Sequence, residues 1–277
     1  MVTWYNCVTV ERLRQRYKYS VILLKQLVKT DFKLRYQGST LGYAWSLLRP
    51  LFLFLILYLV FAKFLKIGNA VPHYPVYLLL GIVLWNYFTE VTSGGVGSIV
   101  GRGDLLRKIN FPKYVIILAG SFSAFINLML NFVIIGIFMI AGHVGISWHA
   151  FMILPLIAEL FIFAIACAFC LSTLYVKYRD VSYIWDIILQ GAFYATPILY
   201  ALTRIPVKYA KFLLLNPMAQ IIQDSRYVLV TKQSETIYQL YGGDKWIWLI
   251  PIGITIIIVI LSTSYFRSRS KHFAEEI

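Results

Sequence analysis

LLRPLFLFLILYLVFAKF, Leu47–Phe64, is the stretch that decides how this chain folds. Arg49 and Lys63 sit near its two ends, and between them lie only apolar residues and one tyrosine. A helix needs roughly 20 mostly apolar residues to cross the hydrocarbon core of a bilayer. The apolar residues do not alternate with polar ones, which argues against a barrel strand with a wet inner face. Inside lipid the backbone has to satisfy its own polar groups, so the stretch reads as a helix. Five further blocks of similar character follow: Tyr74–Val91, Tyr114–Ala141, Ala150–Tyr175, Ile184–Leu202 and Trp246–Phe266. The expected fold is therefore an all-α polytopic membrane protein with six transmembrane helices. Residues 1–277 form one domain: a cytoplasmic and interfacial segment 1–46, a six-span core 47–266 and a cytoplasmic tail 267–277.

The composition agrees. The chain is 60% hydrophobic and only 14% charged, against about 25% charged residues in soluble domains. Its net charge of +14 flanks the hydrophobic blocks, which speaks for membrane topology and against nucleic acid. No cleavable signal peptide is expected, because the first residues are polar and basic. Lys and Arg gather in the N-terminal segment, after the second block (Arg102, Arg107, Lys108, Lys113), after the fourth (Lys177, Arg179) and in the tail (Arg267, Arg269, Lys271). His143–Trp148 has none. The positive-inside rule then places both termini in the cytoplasm. The basic residues of Thr203–Lys245 run against it, but long loops translocate largely regardless of charge.

Three non-spanning stretches stand out. Tyr19–Lys33 reads as an amphipathic interface helix, with Leu24, Leu27, Val28 and Phe32 on one face and Lys25, Lys29 and Lys33 along another. It is either a plain membrane anchor or also a support for a cytoplasmic partner. Gly103–Ile109 reads as a short basic helix with Asp104 as its N-cap, the shape of a lever that another protein pushes. Thr203–Lys245 holds apolar runs too short to span, broken by Pro206 and Pro217. Two short re-entrant helices on the outer side are expected there.

Catalytic chemistry is not visible. His143 and His149 lack a carboxylate cluster, so no metal site is expected. No phosphate-binding GxxxxGK[ST] occurs, so no cofactor is expected in this chain. Cys167 and Cys170 fall within an apolar helix and read as core residues. Glu159 and Asp186 are the carboxylates expected nearest the bilayer interior, in structural pairing, at a helix end in the case of Asp186, or in a proton relay. The many Trp and Tyr suit interfacial belts, and aromatic faces also stack against sugars.

RYQGSTLGYAWSLLRP (Arg35–Pro50), RKINFPKY (Arg107–Tyr114), YRDV (Tyr178–Val181), LQGAFYATPILY (Leu189–Tyr200) and LNPM (Leu215–Met218) resemble, in order, the signatures of ABC-2 type exporter permeases of the polysaccharide, O-antigen and teichoic acid export family. The resemblance runs from about Asp31 to Phe266. It implies a permease that pairs with a second copy of itself and with two copies of a separate ABC ATPase, in a bacterial cytoplasmic membrane. ATP and Mg would enter through that partner. The implied substrate is a lipid-linked polymer. The implied coupling element is Gly103, Asp104, Leu105, Leu106, Arg107 and Lys108. Arg35, Arg49 and Lys108 are candidates for meeting a pyrophosphate, or else lipid headgroups. Tyr58, Phe193 and Tyr194 are candidates for a sugar path, or else for filling a dimer interface. The alternatives are an ABC-2 drug or small-lipid exporter and a membrane-embedded transferase acting on polyprenyl-linked glycans. The basic residues Arg204, Lys208, Lys211, Arg226, Lys232 and Lys245, set against Asp224, Glu235 and Asp244, would suit an anionic polymer.

Overall fold

A computed structural model describes residues 18–31, 33, 38–66, 68, 71–108, 111–145 and 147–273, apart from the side chains of Leu105, Leu106, Lys108 and Lys245. Among the described residues every regular element is helical. Residues 18–31 form α1. Leu24, Leu27 and Val28 are half-buried in it, and Lys25 and Lys29 are exposed. Phe32 lies outside the described residues.

The long helices are α2 (Trp45–Tyr58), α3 (Tyr74–Val96), α5 (Tyr114–Ala141), α6 (Ile153–Lys177) and α11 (Leu249–Arg269). With the turns that extend them, five helices of 23 to 30 residues are long and apolar enough to cross a membrane. Short helices complete the set: α4 (Gly103–Lys108), α7 (Val181–Ala195), α8 (Val207–Leu213), α9 (Pro217–Leu229) and α10 (Ile237–Leu240). The centre of the bundle is α3, which is almost wholly buried and packs against α2, α5, α6, α7 and α9. Close approach needs small residues, and Gly95 supplies one. A Cβ there would lie 2.6 Å from that of Ala168 on α6. Hydroxyls within these helices turn back on their own backbone. Thr92 donates to the Phe88 carbonyl at 2.8 Å, Ser121 to Ile117 at 2.9 Å and Thr173 to Phe169 at 2.7 Å.

The block expected over Ile184–Leu202 begins and ends earlier. α7 has 15 residues, about 22 Å at 1.5 Å per residue. It stops at Ala195 because Pro197 follows Thr196, and a residue before proline is pushed out of the helical region. Thr196 is extended there, with ψ at 139°. The next residues, Thr196–Leu199, are buried but not helical. Such backbone is tolerated at depth only when each polar group finds a partner, and here the carbonyls do. The Tyr200 hydroxyl donates to Tyr194 and Ala195. The Ile198 N–H donates to Thr196 at 2.7 Å. The Tyr74 hydroxyl donates to Leu199 at 2.8 Å. The two that remain, Pro197 and Ile198, accept from one guanidinium, that of Arg226 on α9. Arg226 also donates through Nε to the Tyr77 carbonyl of α3 at 3.1 Å, and its charge sits 3.6 Å from the Tyr77 ring centre. Gly81 makes room, since a Cβ there would lie 2.5 Å from Arg226 Nη2. Arg226 is fully buried.

Arg226 and Asp224 therefore change the reading of the outer segment. The sequence alone suggests charges that suit an anionic polymer, but both side chains are buried within the protein. α9 itself begins where Asn216 caps the Met218 N–H at 3.0 Å and Pro217 occupies the first turn. α8, α10 and the turn Lys245–Trp248 enclose a smaller apolar cluster around Leu202, Leu214 and Ile237.

Pro50 sits within α2 and has no N–H to give the Ser46 carbonyl one turn back. Asn131 of α5 supplies the missing donor, Nδ2 to Ser46 O at 3.3 Å. Asn131→Ala should therefore destabilise the purified chain in micelles by about 1 kcal/mol. In a Pro50→Ala background, where residue 50 provides its own N–H, the same change should cost much less. Equal effects in the two backgrounds would show that Asn131 does not act through this carbonyl.

Candidate functional site

The polar residues of three long helices converge on one groove. α3 contributes Asn86, Glu90, Ser93 and Gly94, a single face by the i, i+4, i+7, i+8 rule. α5 contributes Asn127 and Asn131, also one turn apart, and α2 contributes Ser46 and Arg49. Asp186 of α7 completes the rim. Together they line a cavity of 760 Å³. Hydrogen bonds hold its two α5 amides, the second of them to backbone carbonyls. Asn127 Nδ2 donates to Glu90 Oε1 at 2.9 Å, and Asn131 Nδ2 donates to the Asn127 carbonyl at 2.8 Å as well as to Ser46. Charged and amide groups on membrane helices are costly, and they gather where they face one another or water. The groove thus presents a hydrogen-bonding surface inside an otherwise apolar bundle. It offers many neutral donors and acceptors, with Arg49 near the start of α2 and two carboxylates.

A second feature lies at the α1 and α4 end. Asp31 of α1 forms a salt bridge with Arg102, immediately before α4. Lys113, just after α4, donates to the Ser270 carbonyl and stands 5.5 Å from the centre of the Phe273 ring. Phe273 is fully buried and meets Phe266 edge-on, which in turn meets Phe169 of α6. The stretch around α4 is thereby tied on one side to α1 and on the other to the end of α11.

The residues singled out in the sequence fall as follows. Gly103, Asp104, Leu105, Leu106, Arg107 and Lys108 form α4, with Gly103 buried and Asp104 and Arg107 exposed. The side chains of Leu105, Leu106 and Lys108, and all of Ile109, lie outside the described residues, as does Arg35. Arg49 and Asp186 line the groove. Tyr58, Phe193 and Tyr194 do not. Tyr58 stacks on Phe54 at 5.7 Å, Phe193 packs edge-on against Trp85 at 5.9 Å, and Tyr194 is exposed beyond it. Glu159 faces a different cavity, described below. The reading by sequence missed Glu90, Asn86, Asn127 and Asn131. Their signal was present as polar residues spaced by four inside two hydrophobic blocks.

Sequence comparison identifies relatives of this chain. The ABC-2 type transporter family matches residues 22–230. The chain is 27% identical to the O-antigen export system permease protein RfbA of Myxococcus xanthus, over 97% of this chain and 100% of that one. It is 30% identical to an RfbA permease of Klebsiella pneumoniae, over 95% of this chain and 98% of the other. It is 24% identical to the polysialic acid transport protein KpsM of Escherichia coli, over 77% of this chain and 83% of that one. By its sequence the chain belongs to the ABC-2 type transporter family.

Proposed function

We propose that this chain is the permease subunit of an ATP-driven exporter that carries a lipid-linked surface polysaccharide or teichoic acid across the cytoplasmic membrane. The observation that carries the reading is the polar groove between α2, α3 and α5. A sliding sugar polymer needs many weak hydrogen-bonding contacts, and amides on rigid helices provide them without holding one register. The relatives named for O-antigen export and polysialic acid transport support the same class of cargo. In this reading α7 and the buried turn after it serve as the sixth crossing, both termini are cytoplasmic, and α8 and α9 dip into the outer leaflet. A second copy of the chain closes the groove. Two copies of a separate ATPase, carrying ATP and Mg, press on α4. The Asp31–Arg102 salt bridge and the Lys113 contacts pass that push to α1 and α11. The single chain hydrolyses no ATP.

In cells lacking their own copy of this gene, surface polymer should disappear and lipid-linked polymer should build up inside. Polymer still reaching the surface would contradict the proposal. The coupling route has its own test. Asp31→Arg and Arg102→Asp should each lower export several-fold while the chain stays in the membrane, and the double reversal should recover most of it. Normal export by both single variants would remove the salt bridge from the mechanism.

A further inference from the structure

Where α6 and α11 begin, they and α9 and α10 enclose a second cavity, of 730 Å³, separate from the polar groove. Four oxygens on residues lining it have no hydrogen-bond partner among the described residues: Glu159 Oε1, Gln220 Oε1, Asp224 Oδ1 and Thr255 Oγ1. Asp224 is 2% exposed and Gln220 and Thr255 are each 4% exposed, so water outside the protein does not solvate them. Gln220 Nε2 already donates to the other Asp224 oxygen. The nearest arginine in sequence, Arg226, is two residues on and faces the opposite side of α9, where three carbonyls engage it. No salt bridge reaches Glu159 or Asp224 among the described residues. Buried Asp224 and half-buried Glu159 thus face the same space, with His149 on the same wall but no cation in salt-bridge contact with either carboxyl among the described residues, and a charge buried in this way costs several kcal/mol unless paired.

A donor satisfies these oxygens, and a cationic donor also offsets the charge of the two carboxylates. An ammonium fits, with three N–H donors and no acceptor. The surroundings select its body. Tyr227 and Tyr238 also line the cavity, and aromatic rings attract ammonium groups. Leu156, Ile162, Ile252 and Ile256 supply apolar wall. Ile162 and Ile256 are about half exposed, at 48% and 52%, so the cavity opens sideways between α6 and α11, toward the lipid of a spanning bundle. A bare metal ion matches poorly, since no cluster of three or more His, Cys, Asp or Glu is present among the described residues. Besides the Thr255 hydroxyl, which donates as well as accepts, Trp248 Nε1 is a donor on this cavity without a partner among the described residues. It is placed to meet an anionic oxygen on the same ligand.

We propose that this cavity binds an aminophospholipid, with its primary ammonium between Glu159 and Asp224, its phosphate at Trp248 and its acyl chains along α6 and α11. Bound there, the lipid pins α9 to the two long helices. The headgroup class is that of phosphatidylethanolamine. Free ethanolamine has the same ammonium but neither phosphate nor acyl chains.

Native mass spectrometry on the full-length chain purified in detergent tests this, with phosphatidylethanolamine and phosphatidylglycerol of matched acyl chains as probes. The wild type should retain phosphatidylethanolamine about tenfold better than phosphatidylglycerol. The Glu159→Gln, Asp224→Asn double variant should lose that preference. Should it fail to fold, Ile256→Trp fills the cavity from its exposed rim without touching a charge and should also weaken retention. Equal retention of the two lipids by the wild type would overturn the proposal. So would a preference that survives in the double variant or in Ile256→Trp, or displacement of the lipid by an equal concentration of ethanolamine.

Discussion

The Arg226 guanidinium holds together a part of this protein that lipid alone would not permit. Thr196–Leu199 is irregular backbone buried beside the central helix. In such surroundings each unpaired carbonyl costs free energy that packing does not return. A guanidinium has five donors in a planar fork, stays charged and stacks on aromatic faces. Arg226 uses these properties together, on Pro197 and Ile198, on the Tyr77 carbonyl of α3 and over the Tyr77 ring. One side chain thereby joins α9, α3 and the end of α7. The bare face of Gly81 and the break imposed by Pro197 are its two structural conditions.

From that junction both cavities acquire their walls. α3 held from one side by α9 presents Asn86, Glu90 and Ser93 on the other, toward α2 and α5, and so shapes the polar groove. α9 held by Arg226 turns Gln220 and Asp224 the opposite way, toward α6 and α11. Asp224 and Arg226 are two positions apart, which is more than half a helical turn, so their opposite charges serve opposite faces. In the proposed exporter, the groove carries the polymer and the α9 side anchors the outer segment.

How much of this was legible in the sequence follows from what each signal measures. Hydropathy counts apolar residues along the chain, so it located α2, α3, α5, α6 and α11 to within a few residues at most ends. It does not see direction. Glu90 and Asn127 lie inside blocks that remain apolar on average, and only their spacing by helical turns marks a shared face. The same blindness placed Arg226 and Asp224 among exposed loop charges, because Thr203–Lys245 is polar in sum although α9 is buried nearly throughout. Pro197 is legible in the sequence as a helix-breaking residue type. That it ends α7 and leaves carbonyls for a distant arginine depends on residues far apart in sequence, which no local pattern contains. The ordered motifs from Arg35 to Met218 did identify the family. They carry no information on which side chains line a path.

The most direct test of this account is the unfolding free energy of Arg226 variants of the purified chain in mixed micelles. Arg226→Met keeps the length and apolar stem but leaves the Pro197 and Ile198 carbonyls without a donor. It should destabilise the chain by about 3–5 kcal/mol, as expected for breaking a buried charged network. Arg226→Lys, with a cation but no fork, should fall between Met and the wild type. An Arg226→Met chain that unfolds within about 0.5 kcal/mol of the wild type, the range of an ordinary surface change, would contradict the account.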